Sequence, residues 1–331
     1  MSDTYDALKG ESMEAENIRT VVVVGGGTMG QGIVQSFAQA GLSVLVVDVD
    51  KGKLDGCLSQ VDTNLRQFQE FGLLQENIPS IKSRIHPVLI KDLNEALQGC
   101  DFVVEAVPEV LELKKQLFAQ LDSCPEDVIL SSNTSSFTIP AIAEGLRTAD
   151  RIIGLHYFNP AHIMPLVEIH YGPKTKDEVI STTKALMIKV GKKPILVRKE
   201  IPGFIVNRIQ AAMGREIMYL IDEGVTTPED IDIAAKASYG FRNACIGTIE
   251  GLDMVGLDTL IAVGKQLFKS LDNSTEEPPY LYDMVKRGEL GVKSGKGFYD
   301  YKGKSRAQIL DEQNRKLLRQ LTLFNLLEEN K

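Results

Sequence analysis

Runs of uncharged, β-branched residues alternate with amphipathic stretches along the first part of the chain. Thr20-Val21-Val22-Val23-Val24 carries no charge, the pattern of a strand buried on both faces of a parallel sheet. It stops at Gly25-Gly26-Gly27. From Thr28 to Ala40 the apolar residues Met29, Ile33, Val34, Phe37 and Ala40 recur at three- and four-residue spacing, and Gly41 follows as a helix stop. The next apolar run, 44–47, ends in Asp48 and completes a strand–helix–strand unit, which implies a right-handed crossover. After a helical stretch over 51–71, strands are expected over 101–107, 128–131, 151–155, 166–170 and 194–197, separated by helices over 110–121, 140–145 and 176–190. This order predicts an α/β fold, a Rossmann-type doubly wound sheet with helices on both faces. Beyond Gly203 the pattern turns wholly helical. Thr227-Pro228-Glu229-Asp230 is a helix start with a threonine cap and proline at the first helical position.

These patterns divide the 331 residues into an extension (1–17), a nucleotide-binding domain (18–201) and a smaller all-α C-terminal domain (202–331), the boundary falling near Ile201-Pro202-Gly203. At roughly 150 residues per domain, the length agrees with two folded domains. Charge then narrows the function. With 37 Lys and Arg against 45 Asp and Glu, a net charge of −8, no broad basic surface for nucleic acid is expected. A small anion can still be held by the backbone N–H groups of one helix N-terminus. Cys57, Cys100, Cys124 and Cys245 form no C-x-x-C pair, so inert thiols are expected rather than a zinc ribbon or a disulfide framework. Residues 1–17 carry Asp3, Asp6, Glu11, Glu14 and Glu16 against Lys9, the reverse of a basic targeting peptide, and read as a disordered acidic extension. No uncharged apolar run reaches about 18 residues, so a soluble, cytoplasmic protein without a membrane partner is expected.

Gly25-x-Gly27-x-x-Gly30 follows a strand and opens a helix, and Asp48 ends the next strand 18 residues after Gly30. This is the dinucleotide-binding fingerprint in its full context. The first glycine permits the turn, the second admits the pyrophosphate, and the third lets helix and strand pack closely. A carboxylate at Asp48 suits ribose hydroxyls and repels a 2′-phosphate, so NAD is the expected cofactor. Hydride exchange with an alcohol needs a base near neutrality, and histidine is the side chain suited to it. Of four histidines, His156 is placed at the carboxyl end of a sheet strand, where ligands bind in open α/β folds. Glu168 stands among apolar neighbours, and a buried carboxylate needs a partner. An adjacent strand would let it orient the imidazole. The alternatives are a satisfied core histidine, or a metal site drawn from His156, His162, Glu168 and His170. The helical H-E-x-x-H spacing is absent, so no metal is expected. The Ser131–Ser136 loop offers hydroxyls to a substrate oxygen or to the nicotinamide. No Gly-x-Ser-x-Gly elbow marks a serine nucleophile. Asn207 opens the second domain, where it faces either a cleft or solvent.

The chain shares its segments Val24-Gly25-Gly26-Gly27-Thr28-Met29-Gly30, Ser132-Asn133-Thr134-Ser135-Ser136, His156-Tyr157-Phe158-Asn159-Pro160, Pro202-Gly203-Phe204-Ile205-Val206-Asn207-Arg208 and Gly291-Val292-Lys293-Ser294-Gly295-Lys296-Gly297-Phe298-Tyr299 with one family. In this it closely resembles the L-3-hydroxyacyl-CoA dehydrogenases, in order from about residue 18 to 301. The resemblance implies an acyl-CoA substrate, an NAD cofactor and a homodimer formed through the helical domain. His156 then matches the catalytic base and Glu168 its orienting acid, while Ser135 and Asn207 match residues that position the substrate oxygens. Gly25, Gly27, Thr28, Met29, Gly30 and Asp48 match the dinucleotide loop. Glu109 and Lys114 resemble contacts to the nicotinamide-side ribose, and Asn133 and Asn159 resemble further cofactor-pocket residues. Two departures concern the acyl-CoA side. A Pro-Met-Gly-Pro loop is replaced by Cys245-Ile246-Gly247-Thr248, and the helix that carries CoA contacts offers only Arg66 over residues 64–71, with Lys82 and Arg84 nearby in sequence. A sister dehydrogenase of a free hydroxy acid (gulonate-, carnitine- or ring-hydroxyl-type) therefore stands as the alternative. A non-catalytic, crystallin-like protein is the alternative of another class.

Overall fold

A computed structural model describes residues 15–329. The chain divides into two compact units with the break after Ile205. Most of the expected acidic extension, residues 1–14, lies outside the described residues. Its last three do not extend freely. Ala15–Asn17 forms a 3₁₀ turn with Ala15 buried, because Lys189 donates its ammonium protons to the carbonyl oxygens of Ala15 (3.1 Å) and Ile18 (3.3 Å).

The first unit is built on eight strands: β1 (Thr20–Val24), β2 (Ser43–Asp48), β3 (Ile85–Leu89), β4 (Phe102–Glu105), β5 (Ile129–Ser132), β6 (Ile152–Tyr157), β7 (Leu166–Tyr171) and β8 (Lys193–Val197). Among the described residues seven α-helices accompany them: α1 (Thr28–Gln39), α2 (Lys51–Glu70), α3 (Ile78–Lys82), α4 (Leu93–Leu97), α5 (Leu111–Leu121), α6 (Ile139–Ile142) and α7 (Asp177–Lys189). Strand order is β3-β2-β1-β4-β5-β6-β7-β8, the doubly wound arrangement, parallel throughout except between β6 and β7. Successive β1 residues feed opposite cores. Val21 and Val23 pack with Ile33, Val34 and Phe37 of α1, while Val22 and Val24 pack with Leu117, Phe118 and Leu121 of α5. Both faces are therefore covered, which is why the strand sequence shows no polar alternation. Strand β3 escapes the sequence pattern because Ile85-His86-Pro87-Val88-Leu89 is an edge strand, with His86 and Pro87 exposed and proline tolerated there.

The second unit contains α8 (Val206–Asp222), α9 (Pro228–Ala237), α10 (Tyr239–Asn243), α11 (Thr248–Val255), α12 (Leu257–Leu267), α13 (Pro279–Lys286) and α14 (Arg306–Glu329). Thr227 caps α9, its hydroxyl oxygen accepting from the Asp230 N–H at 3.2 Å. No described helix is long and apolar enough to cross a membrane.

Candidate active site

The turn between β1 and α1 is enforced by backbone geometry. Gly25 has φ +109°, and a Cβ there would lie 2.5 Å from the Ala106 carbonyl oxygen. A Cβ on Gly30 would lie 1.7 Å from the Gly25 carbonyl oxygen, so the close approach of the loop backbone requires glycine at the third position of the fingerprint as well. Gly27 is the N-cap of α1 and supplies no side-chain acceptor, leaving the first-turn N–H groups of Thr28, Met29 and Gly30 free of a side-chain cap. Uncapped N–H groups at the positive end of a 12-residue helix fit a pyrophosphate. At the end of β2, Asp48 Oδ2 accepts from Gly26 N–H at 2.8 Å and Oδ1 from Val49 N–H at 2.7 Å. This fixes the carboxylate beside the loop with lone pairs to spare for ribose hydroxyls. The loop thus fits NAD.

Across the sheet, a buried ion cluster joins β4, α5 and the segment after β5. Lys114 is fully buried and donates to both oxygens of Glu105 (2.7 and 2.9 Å), while its ammonium lies 3.1 Å from Glu109 Oε2. Glu109 Oε1 accepts from the hydroxyls of Thr134 (2.6 Å) and Ser136 (2.7 Å) and from the N–H groups of Ser135 (2.9 Å) and Ser136 (3.0 Å). Ser135 Oγ lies 3.4 Å from the same oxygen. Burial pushes the Glu109 carboxyl up, but these hydrogen bonds and the Lys114 charge outweigh it and hold the group down at about 2. Lys114, expected to touch a ribose, is enclosed instead, because all its protons are taken up by Glu105 and Glu109. Its place is behind Glu109, which in turn pins the loop that carries Ser135. Glu105, whose Oε2 also accepts from Ser132 Oγ at 2.5 Å, is the residue that sequence reasoning missed here. A charged residue closing an otherwise apolar strand was the available signal.

The antiparallel β6–β7 pair sets His156 directly opposite Glu168. His156 is expected just past its strand but lies inside it, since pairing with β7 extends β6 to Tyr157. His156 Nδ1 lies 2.8 Å from Glu168 Oε2, with Glu168 fully buried and His156 nearly so. The carboxylate holds the ring by Nδ1 and leaves Nε2 as the nitrogen that can exchange a proton. Rings of Phe158 and Phe204 stand 4.4 and 5.7 Å from the imidazole. Asn133 ties β5 to this strand, its Oδ1 accepting from Tyr157 N–H at 3.1 Å. Asn159 is exposed and precedes Pro160 in a cis peptide bond. Asn207 is the second residue of α8, in the other unit. His162 is buried apart from His156, against Phe68, and burial pulls it down to about 3. Among the described residues no three His, Cys, Asp or Glu side chains group as a metal set.

Basic residues near α2 are already engaged. Arg66 Nε and Lys82 Nζ both contact Asp62, at 2.8 and 2.6 Å, and Arg84 meets Glu76 at 2.5 Å and donates to the Ala38 carbonyl oxygen at 3.0 Å. Three cysteines are buried, as expected of inert thiols, with burial raising Cys57 to about 11 and Cys100 to about 12. Cys245 departs from that expectation and is exposed.

A doubly wound sheet with a glycine loop at its first turn and a carboxylate-paired histidine on β6 defines an NAD-dependent oxidoreductase. Residues 20–201 match the model of the 3-hydroxyacyl-CoA dehydrogenase NAD binding domain, and residues 203–301 match that of the C-terminal domain. The chain belongs to the 3-hydroxyacyl-CoA dehydrogenase family. It is 37% identical over 284 residues to a 3-hydroxybutyryl-CoA dehydrogenase of Clostridioides difficile, covering 85% of this chain and 99% of the relative. It is 31% identical over 303 residues to 5-formyl-3-hydroxy-2-methylpyridine 4-carboxylate 5-dehydrogenase of Mesorhizobium japonicum, covering 91% and 96%. A crystal structure of a dehydrogenase of that pyridine carboxylate, described as an NAD⁺-dependent dismutase, superposes with a TM-score of 0.85 at 30% identity, covering 94% of this chain and 99% of the other.

Proposed function

We propose that this protein interconverts an L-3-hydroxyacyl-CoA and the 3-ketoacyl-CoA by hydride exchange with NAD, with His156 as the base. The observation that carries the reading is the His156–Glu168 pair at 2.8 Å, buried on the sheet strand that follows the Asn-Thr-Ser-Ser segment. NAD supplies the hydride acceptor in one direction and the donor in the other. His156 Nε2 takes the hydroxyl proton, and Glu168 stabilises the imidazolium that forms. Ser135 and Asn207 position the substrate oxygens. The loop 25–30 holds the pyrophosphate, Asp48 the adenosine ribose, and Glu109, Asn133 and Asn159 line the nicotinamide side. The active protein is a homodimer joined through the helical unit.

A second reading has a specific basis. Arg66, Lys82 and Arg84, the basic residues on the expected CoA side, are paired with Asp62 and Glu76. A CoA phosphate there shares these donors with a carboxylate already in place or exchanges with it. A hydroxylated or aldehydic carboxylate that lacks CoA needs no such exchange, and one relative acts on a substrate of that kind. NADH absorbance followed with acetoacetyl-CoA, 3-hydroxybutyryl-CoA, L-gulonate, carnitine and a hydroxymethyl- or formyl-pyridine carboxylate separates the readings. Turnover of the thioesters alone is expected; turnover of the free acids alone overturns the first reading in favour of the second. On whichever substrate is used, His156→Asn is expected to lower kcat by about 10²–10⁴, and retention of near-full activity in a folded variant sinks the base assignment.

A further inference from the structure

Beside the His156–Glu168 pair lies a second, which the proposed reaction does not use. His170 Nδ1 lies 2.6 Å from Glu200 Oε1, and the same oxygen accepts the Ile139 N–H at 2.8 Å. His170 is fully buried and the Glu200 side chain is 9% exposed. On β7, His170 follows Glu168 by two residues and so shares its face of the sheet. The partner position on β6 is Gly154, where a Cβ would stand 2.0 Å from His170 Nε2. Glycine there makes the room that the second imidazole occupies. Among the described residues the buried Nε2 has no hydrogen-bond partner, whereas Nδ1 faces Glu200, so Nδ1 is the ring nitrogen whose proton finds an acceptor.

Three segments meet at this pair, and each leads to the first one. Ile139 begins α6, just after the loop bearing Ser135. Glu200 precedes Phe204, whose ring lies 4.2 Å from the His170 ring and 5.7 Å from the His156 ring. Phe204 adopts φ +46°, a left-handed conformation that a bulky residue keeps only when its surroundings impose it. That turn brings Ile205 N–H to Glu168 Oε1 at 3.1 Å, on the carboxylate oxygen opposite the one facing His156.

We propose that His170 and Glu200 are a positioning pair for the reaction. They clasp residues 200–205 against β7, so that Phe204 and the Ile205 N–H hold Glu168, and through it the His156 imidazole, in the reactive orientation. The inference rests on His156 being the base. Its test uses the full-length chain, the substrate turned over in the panel above, and the variants Glu200→Ala, Glu200→Gln, His170→Leu and His156→Asn.

Glu200→Ala and His170→Leu are expected to lower kcat by about 10- to 100-fold, the cost of a small misplacement of a reacting group, with KM for the nucleotide and NADH binding by fluorescence unchanged. In ¹⁵N-histidine spectra recorded without substrate, the His156 imidazole signals should shift. Glu200→Gln, whose amide oxygen still accepts both hydrogen bonds, is expected to recover most of kcat. Where Glu200→Ala does not fold, Phe204→Leu carries the same test and should show the same kcat-only loss. Unchanged kcat and unchanged His156 signals overturn the clasp, as does a fall in kcat that only tracks loss of folded, NADH-binding protein. Near-full activity in His156→Asn is a separate failure, of the base assignment on which the clasp depends.

Discussion

At the scale of single residues, Glu109 shows how much one carboxylate can be asked to do. It sits in a loop, is only partly enclosed, and collects two hydroxyls, two backbone N–H groups and an ammonium. Those donors favour the ionised form, which is why the group is held at about 2 against an ordinary value of 4.5. A carboxyl whose pKa is lowered by folding contributes stability that is fully present above its unfolded value and is lost as pH falls through its folded one. The window here runs from about pH 4.5 down to about pH 2. Melting temperatures of the native chain and of Glu109→Gln are therefore expected to differ by a few degrees near neutral pH. The gap should hold unchanged to about pH 5.5 and shrink steadily below pH 4.5. A gap that stays constant through that acid range would mean that folding does not lower the pKa of the Glu109 carboxyl. The same cluster marks a limit of sequence reading. The role of Lys114 as an enclosed counter-ion follows from where β4 and the loop after it place Glu105 and Glu109 around it, and spacing along the chain does not disclose that enclosure.

At the scale of elements, the β6–β7 pair sets which candidate side chains face one another. Among the described residues these are the only antiparallel neighbours in the sheet, and their register puts His156 opposite Glu168 and Gly154 opposite His170. A slip of one residue would send Glu168 to the other face of the sheet. The first strand–helix–strand unit was legible because each of its features has a local cause: β-branched residues for a strand buried on both faces, glycines for the turn, a heptad-like apolar stripe for α1. His156 and Glu168 could be named for similarly local reasons, a histidine at a strand end and an acid in an apolar run. His170 was weighed only as a metal ligand, because the signature of its buried place is the absence of a side chain sixteen residues earlier, on the neighbouring strand. Gly154→Ala tests that dependence. With a Cβ 2.0 to 2.3 Å from three atoms of the His170 ring, the strand pair cannot keep its spacing, and a loss of about 1–3 kcal/mol in unfolding free energy is expected from overpacking. In Gly154→Ala/His170→Ala the clash is gone, so the second substitution should cost less in the Gly154→Ala background than in the native one. Denaturant unfolding of the four proteins measures that coupling, and additive losses would show that Gly154 serves some end other than room for the imidazole.

At the scale of the whole molecule, the two units solve the problem of burial differently. The first has two apolar cores, one on each face of its sheet. In the second, Gly264 and Leu318 are the only buried positions among the described residues, while Ile249, Met254, Phe241 and Phe268 are each more than 70% exposed. Large apolar side chains exposed in such number on one unit are the kind of surface that association covers. The negative charge of the chain does not oppose it, since large uncharged side chains supply the surface. A second copy of the same unit is the partner the homodimer proposal supplies, and isologous pairing would bury the same residues on both copies. Sedimentation equilibrium at micromolar concentration is expected to give twice the monomer mass. Met254→Glu combined with Phe268→Glu would place four carboxylates in the buried surface of a dimer, where unpaired charge is costly. That variant is expected to sediment as a monomer or to lose its cooperative melting transition. A native chain that stays monomeric at those concentrations, with its exposed aromatic residues intact, would refute dimerisation through this unit and leave the apolar surface to a different partner.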